Sequence, residues 1–400
     1  MTRVLFINAG SEGHINPTIG VVQELISRGE EVVYFTVEAF RERVEKTGAT
    51  VLTFDGEAFI KAFLSGGRTY LLERINGLLQ TADVVIPSVL EQIEGEHFDY
   101  MIHDSMFGCG RFLAQILKLP AISSCTSFAH TKDSFERMLE HLSKDIPPKT
   151  LEAIREDYRI ITTKLKENYD VEIRSPYEVF CNPAPLTIIY TTREFQPSGD
   201  TFDPSYKFVG PSISLRSSKE NVGQSAIKGK DLIYISLGTV FNQATEFYKL
   251  CFEAFGDSEH TVLMSIGQRT QKAALGEIPK NFIVENYVPQ TEVLKEADLF
   301  ITHGGMNSAN EGLYYGVPLL VIPQSADQPM VAQQVVTIGA GKKLQMEHLT
   351  AAQLREAAEA IMNQPSFRQH VKKISESFQK AEGYQQAVDE IFKFKAEIGI

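Results

Sequence analysis

The densest run of chemistry-bearing residues in this 400-residue chain is His303-Gly304-Gly305-Met306-Asn307-Ser308-Ala309-Asn310-Glu311-Gly312, directly after the apolar stretch Leu299 to Thr302. Two consecutive glycines let the backbone approach a ligand closely. Asn307 or Ser308 can start a helix, and the N–H groups at a helix start attract anions. His303, at a strand end, can hydrogen-bond a phosphate oxygen. Glu311 falls one helical turn beyond Asn307 and on the same side, where a carboxylate can take a ribose hydroxyl pair. Two flanking segments extend the same chemistry. Tyr287-Val288-Pro289-Gln290 offers an aromatic face and a proline-set turn suited to a nucleobase, and Asp327-Gln328-Pro329 puts an acid and an amide where sugar hydroxyls can be read.

A second kind of chemistry lies near the N-terminus. In Gly10-Ser11-Glu12-Gly13-His14 a histidine follows a glycine-rich turn just before a helix, a position from which it can act as a general base. Asp104, in Ile102-His103-Asp104-Ser105, ends another strand. A carboxylate meeting the outer nitrogen of His14 would fix its tautomer and stabilise the imidazolium. Taken one at a time, each stretch also reads as ordinary loop: glycines as turn residues, His303 closing a strand, Asp104 as a turn residue, His14 as a structural histidine.

The elements that must hold these loops follow a repeated strand–helix grammar. Val4 to Ile7 reads as a strand. Asn16 reads as the N-cap and Pro17 as the first residue of a helix with the apolar stripe Val21, Val22, Leu25, Ile26, ended by Gly29. Val32 to Phe35 is the next strand, Tyr100 to Ile102 another, and 108–118 a helix ending near Pro120, before a strand from Ile122. From 132 to 172 the pattern is helical and charged, an insertion or lid, and strand signals resume at Thr187 to Thr191. Residues 211–230 are polar and turn-rich and read as a linker. Beyond it, strands are expected at Leu232 to Ser236, Val262 to Ile266, Phe282 to Val284, Leu299 to Thr302 and Leu319 to Ile322, with the last fifty residues helical. The economical reading is two open parallel-sheet domains, in which ligands bind at the carboxyl ends of strands. The expected partition is 1–210 as the first domain, 211–230 as linker, 231–380 as the second domain, and 381–400 as a terminal helix.

Composition bounds the rest. With 43% hydrophobic residues and 25 Phe the chain can build real cores, and it is neither a disordered segment nor a disulfide scaffold. A formal charge of −12 argues against nucleic acid or an anionic membrane as partner. Cys109, Cys125, Cys181 and Cys251 show no C-x-x-C spacing and read as buried thiols in a reducing cytoplasm. No apolar run approaches the roughly 18 residues of a membrane span. No signal-peptide pattern opens the chain, so a cytoplasmic location is expected. Oligomeric state is not encoded legibly.

Together these residues resemble the family 1 glycosyltransferases of the GT-B fold, particularly the bacterial macrolide-type enzymes. The similarity spans essentially the whole chain and is strongest from Tyr287 to Gln328. It is carried there by Tyr287-Val-Pro-Gln290, Leu294, Ala297-Asp298-Leu-Phe300, Thr302-His303-Gly-Gly305, Asn307-Ser308, Glu311-Gly312, Gly316-Val-Pro318, Pro323 and Asp327-Gln328. The resemblance implies an α/β fold of two Rossmann-like parallel-sheet domains facing across a cleft, with the terminal helix crossing back to the first. It assigns base contacts to the Val288 backbone, the ribose carboxylate to Glu311, and diphosphate contacts to His303, Gly305, Asn307 and Ser308. Gly304 falls in the same run, and Ser236, Gly238 and Thr239 form a neighbouring loop. Donor-sugar contacts fall at Asp327 and Gln328, the general base at His14 and its orienting carboxylate at Asp104. Tyr287 stands where many relatives stack a Trp on the base, and this chain has no Trp at all. Gln328 stands where some relatives carry His, which points to glucose rather than galactose.

The function so implied is inverting transfer of a hexose from a UDP-sugar, UDP-glucose first, to a hydroxyl of a hydrophobic small molecule such as a flavonoid or macrolide. No tightly bound cofactor or metal is expected, since the chain has no Asp-x-Asp motif. The acceptor is expected against the apolar residues of 59–79 and 107–135, Phe107, Phe128 and Phe135 among them. Two alternatives stand beside it. A UDP-sugar epimerase can share the two-domain fold, and a catalytically silent nucleotide-sugar-binding protein would carry the same donor motif. A nicotinamide oxidoreductase is disfavoured, because Gly108-Cys109-Gly110 lacks the third glycine of a dinucleotide fingerprint.

Overall fold

Short β-branched and aromatic runs alternating with amphipathic helices assemble into two parallel sheets in the computed structural model, which describes residues 2–8, 10–213, 231–239, 242–325 and 327–400. The chain divides into two units. The first comprises Met1–Tyr190, Ser198–Ser212 and Glu382–Ile400, and the second Thr191–Pro197 and Ile213–Ala381.

The first unit holds β1 (Arg3–Ile7), β2 (Glu31–Val37), β3 (Thr50–Phe54), β4 (Tyr100–Asp104), β5 (Ala121–Cys125), β6 (Leu186–Ile189) and β7 (Tyr206–Phe208) in the order β3-β2-β1-β4-β5-β6-β7. The chain reverses its direction of winding between β1 and β4, whose register pairs Ile7 with His103. Loops leaving those two strands therefore emerge side by side, at the switch point where open α/β sheets bind ligands. Because strand side chains alternate, Leu5, Ile7, Val33 and Met101 pack into one core with Leu72 and Phe112. Val4, Phe6, Tyr34 and Ile102 pack on the other face with Ala387, Val388 and Ile391 of the C-terminal helix Tyr384–Ile398. That helix is also tied by a buried ion pair between Lys395 and Glu30, and Tyr100 donates a hydrogen bond to the same carboxylate at 3.1 Å.

The second unit holds β8 (Leu232–Ser236), β9 (Thr261–Ser265), β10 (Phe282–Glu285), β11 (Leu299–Thr302), β12 (Leu319–Val321) and β13 (Gly341–Lys343), ordered β10-β9-β8-β11-β12-β13. Its switch point lies between β8 and β11, where Ser236 pairs with Thr302. The tongue Thr191–Pro197 is fastened within this unit, with Thr191 donating to Asn310 Oδ1 at 3.2 Å and Ser377 to Glu194 at 2.8 Å. Sequence patterning had no signal for this excursion, which interrupts the stretch 1–210. Of the expected linker 211–230, residues 214–230 lie outside the described residues.

The largest local departure from expectation concerns the first helix. It runs Glu12–Ser27 with Ser11 as N-cap, so Pro17 lies inside it rather than at its start. The first turn closes upstream of the proline, where the His14 and Ile15 N–H groups both reach the Ser11 carbonyl. His14 thus stands on the first helical turn, not in the preceding loop. The strands β3, β7 and β13 are short and partly exposed, and their sequences carried no distinct alternation. Among the described residues no helix is long and apolar enough to cross a membrane. Cys109, Cys125 and Cys251 are buried free thiols and Cys181 is half-buried.

Candidate functional site

Each unit gathers polar side chains at the carboxyl ends of its central strands. In the first, His14 Nδ1 lies 2.5 Å from Asp104 Oδ2, although the two residues are 90 apart in the chain. The Asp104 side chain is fully buried and that of His14 is 22% exposed. The carboxylate's other oxygen accepts the Met106 N–H at 2.7 Å, which fixes its rotation. A carboxylate held in this way makes Nδ1 the protonated nitrogen, so the ring can act as a base through Nε2. Thr126, just beyond β5, brings its hydroxyl to 3.2 Å from the same His14 Nδ1. Patterning missed Thr126, although the position was findable, since β5 is the next strand beyond β4 and its end faces the same way. His103, adjacent to Asp104, points to the opposite face. Burial pushes its imidazole down to about 4, so it is neutral and plays no part as a charge.

Phe107 and Phe135 do not form an open surface. Both are fully buried, Phe107 against Phe54 and Phe59 and Phe135 against Tyr177 and Phe180, and Phe128 is nearly so. Large aromatic rings are the efficient fillers of a core, and here the core takes them.

In the second unit the helix Met306–Tyr314 starts directly after the glycine pair, with Gly305 as N-cap and no side-chain cap. It begins slightly earlier than Asn307 or Ser308, so both sit in its first turn. Backbone sterics require the glycines: Gly304 has φ +81° and an added Cβ would lie 2.4 Å from Val321 Cγ1. At Gly238, φ +75°, a Cβ would lie 2.6 Å from His303 Cε1, so the loop after β8 is packed directly on the histidine. Ser236 receives the Gly238 N–H at 3.3 Å, and Thr239 follows at the exposed tip of that loop. Burial lowers the His303 imidazole to about 4. It is therefore a neutral hydrogen-bonding group rather than a cation, and positive potential at this loop comes from the helix N-terminus.

Glu311 is buried, and Gln290 Nε2 donates to its Oε2 at 2.7 Å and to Ser308 Oγ at 3.4 Å. Tyr234 in turn donates to Gln290 Oε1 at 3.2 Å, so the carboxylate is held by a chain of oriented groups. Val288 is buried while Tyr287 beside it is 52% exposed, an aromatic face of the kind a planar base can cover. Gln328 folds back on its own loop, where Oε1 accepts from the Gln324 and Ser325 N–H groups at 2.8 and 3.1 Å. Only its N–H donors remain for a sugar. Asp327 is the residue just before the helix Gln328–Thr337. Among the described residues no group of three or more His, Cys, Asp or Glu could hold a metal ion.

The comparisons with known proteins agree with one another. The family model "UDP-glucoronosyl and UDP-glucosyl transferase" matches residues 215–382. A Bacillus subtilis protein named uncharacterized UDP-glucosyltransferase YojK is 37% identical over 398 residues, covering 98% of this chain and 97% of that one. The oleandomycin glycosyltransferase of Streptomyces antibioticus is 30% identical, over 97% of this chain and 89% of its own. Among solved structures, the calicheamicin glycosyltransferase CalG4 superposes with a TM-score of 0.86 at 26% identity, each chain covered in full.

Proposed function

The chain belongs to the family 1 UDP-glycosyltransferases, and from that premise we propose that it moves a hexose from UDP-glucose to a hydroxyl of a hydrophobic natural-product acceptor, inverting the anomeric centre. The observation that carries the chemical part is the 2.5 Å contact between His14 Nδ1 and the buried Asp104 carboxylate. His14 Nε2 takes the proton of the acceptor hydroxyl as its oxygen attacks C1 of the sugar. The C1–O bond to the diphosphate breaks, UDP leaves with the electron pair, and an α-donor gives a β-glycoside. Asp104 stabilises the imidazolium that forms. A positioned base of this type contributes about 10²–10⁴-fold to the rate.

The donor half does no proton transfer. In this reading the Tyr287 face and the Val288 backbone hold the base, Gln290 and Glu311 the ribose, and Ser236, Gly238, Thr239, His303, Gly304, Gly305, Asn307 and Ser308 the diphosphate. Asp327 and the Gln328 N–H groups meet the sugar. Charge gathering on the departing UDP is met by the first-turn N–H groups of Met306–Tyr314 and by neutral His303, which need not reorganise during the reaction. The macrolide and calicheamicin enzymes among the relatives support an acceptor of large, mostly apolar body. In the first unit, Phe107 and Phe135 would back such a site rather than touch its ligand.

The test is incubation with UDP-glucose and a panel of phenols, polyketides and sterols, read by mass spectrometry. A hexose increment on one or more acceptors, with release of UDP, is the expected result. A new UDP-hexose epimer formed without acceptor would mark an epimerase. Tight UDP binding with no transfer across the panel would mark a silent binding protein.

A further inference from the structure

Two fully buried asparagines lie outside the reaction as derived above, yet each grips one member of the dyad by its backbone. Asn8, directly after β1, donates from Nδ2 to the His14 carbonyl at 3.1 Å and accepts the Gly10 N–H on Oδ1 at 3.0 Å. Asn182 donates from Nδ2 to the Asp104 carbonyl at 3.3 Å, although it lies 78 residues away. The same nitrogen donates to the Phe107 carbonyl, and Oδ1 accepts the Arg111 N–H at 3.1 Å. Both amides thus repeat one pattern: nitrogen to the carbonyl of a dyad residue, oxygen from a neighbouring backbone N–H.

Asn182 spans more than a cap would need. Arg111 is the third residue of the helix Cys109–Leu117, whose N-cap, Gly108, has no side chain to offer. The Asn182 oxygen serves that helix start, while its nitrogen holds the carbonyls at both ends of the turn from Asp104 to Phe107. The backbone at Asn182 itself has φ +45°, a left-handed conformation that Asn and Gly tolerate best. A charge-assisted contact between groups on separate loops depends on both loops being fixed, and a displacement of about 1 Å can cost roughly 10²-fold in rate.

We propose that Asn182 and Asn8 are positioning residues that fix the separation of Asp104 from His14 by clamping the backbone of each. The proposal rests on the assignment of His14 and Asp104 as the base and its carboxylate. Neither asparagine is a catalytic residue, since both are buried beneath the loops they hold.

Asn182→Gly keeps the left-handed backbone accessible and removes the clamp. Asn182→Asp keeps an oxygen for the Arg111 N–H, and so the helix cap, but has no N–H for the two carbonyls. The measurements are kcat, UDP dissociation constant and Tm for both variants, alone and combined with Asp104→Asn. The expected result is a kcat about 10–10²-fold lower in both with UDP affinity unchanged, and less than roughly a twofold further loss once Asp104 is already Asn. Wild-type kcat in Asn182→Asp would assign the side chain to helix capping alone and overturn the proposal. So would an equal fold-loss in both backgrounds, or a lowered Tm with kcat intact. Full activity in Asp104→Asn by itself would instead remove the dyad reading on which the proposal stands. Asn8→Ala, combined with Asp104→Asn and read the same way, carries the test should the Asn182 variants not fold.

Discussion

The two units solve the problem of placing chemistry at a sheet's switch point in opposite ways. The second unit writes most of its site into one continuous stretch, Tyr287 to Gln328, where a strand end, a glycine pair and a helix start follow one another. Its groups are positioned mainly by local backbone: φ +81° at Gly304, the N-terminus of Met306–Tyr314, and a carboxylate held from a helix that starts only 21 residues earlier. The first unit builds a site from residues 90 and 112 apart, His14 with Asp104 and with Thr126, and relies on sheet order to bring the ends of β1, β4 and β5 together. A contiguous site binds a constant ligand through repeated backbone contacts. A dispersed one leaves the surrounding loops free to vary, which suits the acceptor side of the proposed reaction.

If that division is right, substitutions in the first unit should lower turnover and substitutions in the second should weaken the donor. The largest effect is expected at the base: His14→Ala should cut kcat by about 10²–10⁴-fold while calorimetry finds UDP affinity unchanged. Asp104→Asn should follow, with kcat down about 10²-fold. Its acid limb of kcat/KM should move to lower pH, because an imidazolium without its carboxylate is less favoured. A parallel loss of UDP affinity in either variant would break the comparison.

Glu311→Gln should do the reverse. Losing hydrogen bonds to a charged group is worth about 1.5–3 kcal/mol, so the donor KM should rise roughly 10–100-fold with kcat little changed. Gly238→Ala forces a side chain against His303 at positive φ and should cost about 1–3 kcal/mol, read as a lower Tm and weaker UDP binding with the acceptor KM unmoved.

The smallest effect is a null with a definite sign. Because burial holds His303 down to about 4, UDP-glucose affinity measured by calorimetry should be flat from about pH 8 to 5 and change only as pH nears 4. The same depression makes the unfolded chain take up protons near 6.5 that the folded chain refuses. The stability from burying neutral His303 and His103 is therefore complete above that pH and is lost as pH falls toward 4.

The same contrast explains what could be read from sequence. The block from Tyr287 to Gln328 was legible because its chemistry and its geometry are both local. His14 and Asp104 were legible as types at strand ends, but their contact depends on β1 and β4 being neighbours, which no single segment encodes. Thr126 lay one strand further out, at a position the strand-end rule could have reached. Asn8 and Asn182 carried no signal, since an asparagine before a proline or after a strand is common, and only the fold shows which carbonyl it meets. The helix start at Glu12 is hidden in the sequence because proline ordinarily marks a first turn, whereas Pro17 lies in the second, beyond the turn closed on the Ser11 carbonyl.

In the proposed reaction an acceptor oxygen that His14 deprotonates displaces UDP directly. Proton NMR of the product formed from UDP-α-glucose and a phenolic acceptor reads the stereochemical outcome of that step. Direct displacement should give one hexose per acceptor, one UDP released per glycoside, and a β-anomeric proton. An α-glycoside, or UDP release with no sugar on the acceptor, would contradict it.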